Sequence, residues 1–163
     1  MPTDSLFTIG YEKRSFDEFL AVLKAAGIDA VIDVRETAWT RKRGFSKSSL
    51  TTWLAAAGIE YIHARFAGNP KRLRAAATDH AEIVAKYREH LSASPRILDE
   101  LDQLIDGYLA AGKKVALTCY ERHPDDCHRG VLAEAWRERR HGHVVHLEPD
   151  GCVRLIGSMP LTP

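Results

Sequence analysis

Short apolar runs that alternate with amphipathic helical periods constrain this chain more than any other feature. Residues 6–9, 28–34, 59–63, 115–119 and 144–147 read as strands, and the segments between them repeat their apolar residues every three or four positions. The first of these starts at Ser15, which with Glu18 forms a capping box, and carries Phe16, Phe19, Leu20 and Leu23 as far as Gly27. Ser46 precedes Leu50, Trp53 and Leu54, a helix that stops at Gly58. Ser94 and Pro95 open a longer stripe of Ile97, Leu98, Leu101, Leu104, Ile105 and Tyr108 that ends at Gly112. A last helix begins near Cys127 and presents Val131, Leu132, Ala135 and Trp136. Ala30, Val31, Ile32 and Val34 have little polar interruption, as a strand covered on both faces requires. The alternation predicts an α/β fold, a three-layer sandwich with a mainly parallel five-stranded sheet and helices on both faces. Residues 64–74 read as an irregular loop turning at Gly68, Asn69 and Pro70, followed by helical material through His90, and the tail from Pro149 as a hairpin or extended segment.

At 163 residues, with 45% hydrophobic and 28% charged residues, the chain fits one ordered domain spanning 1–163. Its 23 basic and 22 acidic residues leave no global attraction for nucleic acid or membrane, so any such attraction must be local. No apolar run approaches the roughly 20 residues that span a bilayer, and the start lacks the basic-then-apolar order of a signal peptide. The three cysteines, an odd number without an export signal, argue for reduced thiols. The expectation is a cytoplasmic protein with no membrane partner; cofactors and oligomeric state are left open.

Ligands of open parallel sheets bind beyond the carboxyl ends of the strands. There the chain places Tyr11 after the first strand, Asp33 and Arg35 at the end of the second, His63 at the end of the third, and Cys119 and Glu121 at the fourth. Cys127, His128 and Arg129 fall at the start of the following helix, where unpaired N–H groups and the helix dipole favour a phosphate or a thiolate. Each residue also has a structural reading. Cys119 fits a small core hydrophobe, Asp33 and Arg35 fit an ion pair, and Arg129 fits a salt bridge to Asp33 or Glu121. The functional reading gives Glu121 or Asp33 proton transfer, Cys119 or Cys127 a nucleophilic role in reserve, and Tyr11, Arg35, His63, His128 and Arg129 substrate binding.

Cys119, His123, Cys127, His128 and His63 offer suitable atoms for a metal, but no metal centre is expected, because seven residues separate Cys119 from Cys127 and no Cys-x-x-Cys knuckle exists. A short phosphatase-like or sulfurtransferase-like anion loop would carry arginine six positions after the cysteine, where this chain has Asp125. Basic loops at 41–47 and 71–74 add Arg41, Lys42, Arg43, Lys47, Lys71, Arg72 and Arg74, with Tyr11, Trp39 or Phe45 available to stack on a base.

The chain resembles the uncharacterised family called domain of unknown function 488. The matching pieces are Thr8-Ile-Gly-Tyr11, Ile32-Asp-Val-Arg35, Gly44-Phe-Ser-Lys47, Gly58-Ile-Glu-Tyr-Ile-His63, and Cys119 through Cys127-His-Arg129, in that order along nearly the whole sequence. The resemblance implies an α/β fold and a shared polar site without implying an activity. The segment after His63, Phe66-Ala-Gly-Asn-Pro70, departs from the family's usual Leu-Gly-Gly-like wording. A fainter similarity to rhodanese-like domains rests on Ile32-Asp-Val-Arg-Glu36 and on a strand ending in Cys119, and is an analogy of fold only. Together these readings point to an enzyme acting on a phosphate-bearing or nucleotide-like anionic substrate. The alternative is a non-catalytic nucleic-acid-binding module using the loops at 41–47 and 71–74.

Overall fold

The structure is a computed structural model that describes residues 4–147 and, as backbone, 153–157. Its strands are β1 (Ser5–Gly10), β2 (Ala30–Asp33), β3 (Glu60–His63), β4 (Val115–Cys119), β5 (His143–Leu147) and β6 (Val153–Gly157). Its α-helices are α1 (Phe16–Ala25), α2 (Lys47–Ala56), α3 (Lys71–Ala76), α4 (His80–Ala93), α5 (Pro95–Ala110) and α6 (His128–Arg140). The strands form one sheet in the order β3-β2-β4-β1-β5-β6. The first five in chain order are parallel to one another, and β6 runs antiparallel beside β5. The predicted mainly parallel sheet is therefore present, extended at one edge by β6, where the sequence predicts a hairpin or extended segment.

Burial follows the strand alternation. Val31, Ile9 and Ala116 pack on one face with Phe19 and Leu23 of α1 and Leu50 and Leu54 of α2. On the other face Leu6, Ala30, Ile32, Val115, Leu117 and Cys119 meet Tyr87 and Leu91 of α4, Leu101 and Ile105 of α5, and Leu132 and Trp136 of α6. A strand whose alternate side chains both meet helices is covered on both faces, the reason β2 and β4 are buried throughout.

The capping box at Ser15 and Glu18 forms as the spacing predicts. Ser46 instead turns its hydroxyl onto the backbone of Thr40 and leaves α2 without a side-chain cap. The segment after β3 is more ordered than the predicted irregular loop: a 3-10 turn at Arg65–Ala67 leads through Pro70 into α3. Among the described residues no helix is long and apolar enough to cross a membrane.

Register brings the chemistry-bearing strand ends level with one another. Gly10 pairs with Cys119, and Asp33 lies beside both Thr118 and His63. Gly10 is required there because a Cβ would fall 1.9 Å from the carbonyl oxygen of Glu121. The loop after β4 thus closes directly over the end of β1.

Candidate functional site

Beyond the carboxyl ends of β1, β2 and β4 lies a cavity of about 290 Å³. Of the residues singled out in the sequence, Tyr11, Arg35, Cys119, Glu121 and His128 line it. Glu36, Thr37, Trp39, Asn69, Arg74, Ile83 and Tyr120 complete the wall. The buried Cys119 and His128 form its floor, while Trp39, 65% exposed, and Tyr120, 46% exposed, stand at its mouth. From sequence, Trp39 and Arg74 stand out only as a stacking ring and as part of a basic loop. Glu36 and Tyr120 follow directly on strand-end residues, a signal that could have found them. Asn69 and Ile83 come from the region between β3 and α5, where no strand end announces them.

Asp33, His63, Cys127 and Arg129 stand behind the cavity wall. Asp33 is fully buried and grips Arg35 by both carboxylate oxygens, with Arg35 Nη2 at 2.6 Å and Nε at 2.9 and 3.1 Å. It also accepts from the Arg35 backbone N–H at 3.1 Å and from the Tyr61 hydroxyl at 2.5 Å. Arg35 turns its remaining Nη1 to the Tyr11 hydroxyl at 2.9 Å. Burial pushes the Tyr11 phenol up to about 12, against the opposing pull of the adjacent Arg35 charge. His63 Nε2 holds the Arg35 carbonyl at 2.8 Å, so it braces the loop after β2 from the side.

Arg129 reaches the backbone carbonyl of Glu121 at 2.6 Å through Nη1, and its Nε is buried with no hydrogen-bond partner among the described residues. Its contact is therefore with the Glu121 carbonyl, whereas the sequence suggests a salt bridge to a carboxylate. The basic loop at 41–47 also turns inward in part. Lys42 Nζ donates to the Tyr11 carbonyl at 2.8 Å, and Phe45 is buried, stacked on Tyr11 with ring centroids 4.6 Å apart. Of the proposed stacking rings, Trp39 alone is exposed.

At the floor, His128 Nε2 lies 2.6 Å from the Val34 carbonyl oxygen. A carbonyl only accepts, so Nε2 carries a proton and Nδ1 is the ring atom that faces the thiols. Nδ1 is 3.7 Å from Cys119 Sγ and 3.9 Å from Cys127 Sγ. Tyr87 packs edge-on against the imidazole at 4.9 Å and donates its hydroxyl to the Ala67 carbonyl, fixing the ring from the helical side. A carboxylate oxygen of Glu121 stands 3.8 Å from Cys119 Sγ.

Crowding these groups in a buried floor separates their proton affinities. The adjacent Cys127 thiol, with burial, holds Cys119 well above the ordinary thiol range. Burial works against a thiolate at Cys127 too, but hydrogen bonds from Cys119 and His128 and the charges of His128 and Arg129 carry it well below that range. Burial disfavours the imidazolium of His128, yet its contact with Cys127 raises its proton affinity overall. Burial first, then Cys127, pushes Glu121 up to about 8.

No curated protein matches the chain. The family model described as Domain of unknown function DUF488 matches residues 15–136, which hold every cavity-lining residue except Tyr11 and cover most of the sequence, so the chain belongs to that family.

Proposed function

We propose that the protein is an enzyme that takes a small phosphate-bearing or nucleotide-like substrate into this cavity. Glu121 transfers the proton, and the reacting atoms lie against the floor formed by Cys119 and His128. The observation that carries this reading is the convergence of the segments after β1, β2 and β4 on one enclosed space, with reactive groups buried below and aromatic rings exposed above. Planar rings at a cavity mouth suit a base, and stacking of this kind contributes about 1–3 kcal/mol per base.

Arg74 is the cation best suited to an anionic group. Its contact with Glu36 is 3.5 Å long and half-exposed, so it is weak enough to yield to a phosphate. Arg35, whose Nε, Nη1 and Nη2 are each engaged once by Asp33 or Tyr11, shapes the wall and keeps the Tyr11 ring in place. Nucleoside monophosphates and inorganic phosphate are the probes. The expected result is quenching of tryptophan fluorescence by the nucleotide, lost in Trp39→Phe, with affinity reduced in Arg74→Ala. Glu121→Gln should bind the same nucleotides without converting them. Absence of any quenching or thermal shift with either probe overturns the reading.

A further inference from the structure

The arrangement at the cavity floor has a feature that bare thiols do not need. Buried cysteines packed as small hydrophobes do not require a ring nitrogen aimed at both sulfurs. Here Cys119 Sγ, Cys127 Sγ and His128 Nδ1 all lie within 4.8 Å of one another. We propose that Cys119, Cys127 and His128 bind one zinc ion at the floor of the cavity and leave its fourth coordination position open to the substrate.

The distances suit such an ion. Zinc bonds of about 2.3 Å to sulfur and about 2.0–2.1 Å to nitrogen, arranged tetrahedrally, place sulfur and nitrogen ligands about 3.5 Å apart. The observed sulfur–nitrogen separations of 3.7 and 3.9 Å are met by drawing the side chains in by a few tenths of an ångström, and the sulfurs, within 4.8 Å of each other, by up to about 1 Å. A histidine ligand needs its other ring N–H fixed by an acceptor, and the Val34 carbonyl does this at 2.6 Å, leaving the Nδ1 lone pair toward the sulfurs. Charge balances as well: a dication with two thiolates and a neutral imidazole sums to zero, the condition a buried site favours. Two soft sulfurs and one imidazole select zinc over magnesium or calcium.

Spacing along the chain marks the site only weakly. Cys119 ends β4, whereas Cys127 and His128 open α6, and the 3-10 turn at Pro124–Asp126 folds the connecting segment back on itself. Gly130 allows that turn to settle on the helix, since a Cβ there would meet the Pro124 carbonyl oxygen at 2.2 Å. Glu121 lies outside the compact ligand group, although a carboxylate oxygen is 3.8 Å from Cys119 Sγ, and is assigned no bond to the zinc. Three protein ligands with an open position toward a cavity is the pattern of catalytic zinc. The assignment thereby deepens the enzymatic reading, although its test needs no substrate.

The full-length protein, reduced and loaded with one equivalent of zinc, is the sample. X-ray absorption at the zinc edge should show a shell with two sulfur neighbours at about 2.3 Å and lighter atoms completing it. Cobalt in place of zinc should give thiolate-to-cobalt charge-transfer absorption in the wild type. That absorption should be lost in Cys127→Ala and His128→Ala but retained in Cys152→Ala and Glu121→Gln. A sulfur-free shell, or no cobalt absorption from wild-type protein with reduced thiols, overturns the metal site whatever the folding of the variants. If the metal is absent while nucleotides still quench Trp39, only this assignment falls. If the metal is present and no nucleotide binds, only the substrate class falls.

Discussion

Replacing Asp33 with alanine tests whether that carboxylate holds the wall or performs chemistry. Asp33 is fully buried, and its loss strips Arg35 of every hydrogen bond to the carboxylate. The guanidinium, itself 6% exposed as a residue, would keep only the Tyr11 hydroxyl and the face of that ring, 5.1 Å from its centroid. Breaking a buried pair by removing one partner costs about 3–5 kcal/mol. With a urea slope of about 2 kcal/mol/M, the unfolding midpoint falls by roughly 1.5–2.5 M. The assay is urea unfolding followed by fluorescence and circular dichroism. Asp33→Leu combined with Arg35→Met removes both charges and should unfold at a higher urea concentration than Asp33→Ala alone, because no uncompensated charge remains. Stability of Asp33→Ala within about 0.5 kcal/mol of the wild type would refute the argument. A structural Asp33 and a proton-transferring one also differ in which property fails first: a catalytic role predicts lost turnover at an unchanged midpoint.

Gly10→Ala should destabilise by about 1–3 kcal/mol, since the new methyl meets fixed backbone at Glu121 and must displace the loop that carries that carboxylate; chemical denaturation and loss of turnover read the two effects. Gly107→Ala, in α5 with nothing within 4 Å of its new Cβ, should instead stabilise by up to about 1 kcal/mol in the same assay. Trp39→Ala should change stability by less than about 0.5 kcal/mol while weakening nucleotide binding by about 1–3 kcal/mol, measured by calorimetry. Equal binding by wild type and Trp39→Ala would remove the ring from the site.

The sheet was legible because its buried strands carry their own signature: Val115–Cys119 is mostly apolar and follows the helix stop at Gly112, and its predicted limits coincide with the observed strand. The convergence of Tyr11, Arg35, Cys119, Glu121 and His128 followed from topology, which puts consecutive strand ends on one edge. Which charges would neutralise each other was not legible. Asp33 and Arg35 stand two residues apart and fit catalysis or pairing equally well until Tyr61, on a neighbouring strand, is seen to close the network. Phe45 and Lys42 belong by composition to a basic, aromatic loop, yet tertiary packing draws them onto Tyr11. Cys119 and Cys127 were both marked in the sequence, but their meeting was not legible for a related reason: a turn, unlike a helix or strand, imposes no period by which two side chains can be predicted to meet.

The central position of β4, between β2 and β1, has a consequence for how the molecule is made. A growing chain emits β1, β2 and β3 long before the strand that joins the first two, so their open edges wait through the synthesis of α4 and α5. Pairings that span so much sequence make for slow folding and leave early edges exposed to self-association. The strand that finally closes the gap ends in Cys119. Completion of the sheet and delivery of that sulfur are thus a single event, and a chain stalled before residue 119 lacks both.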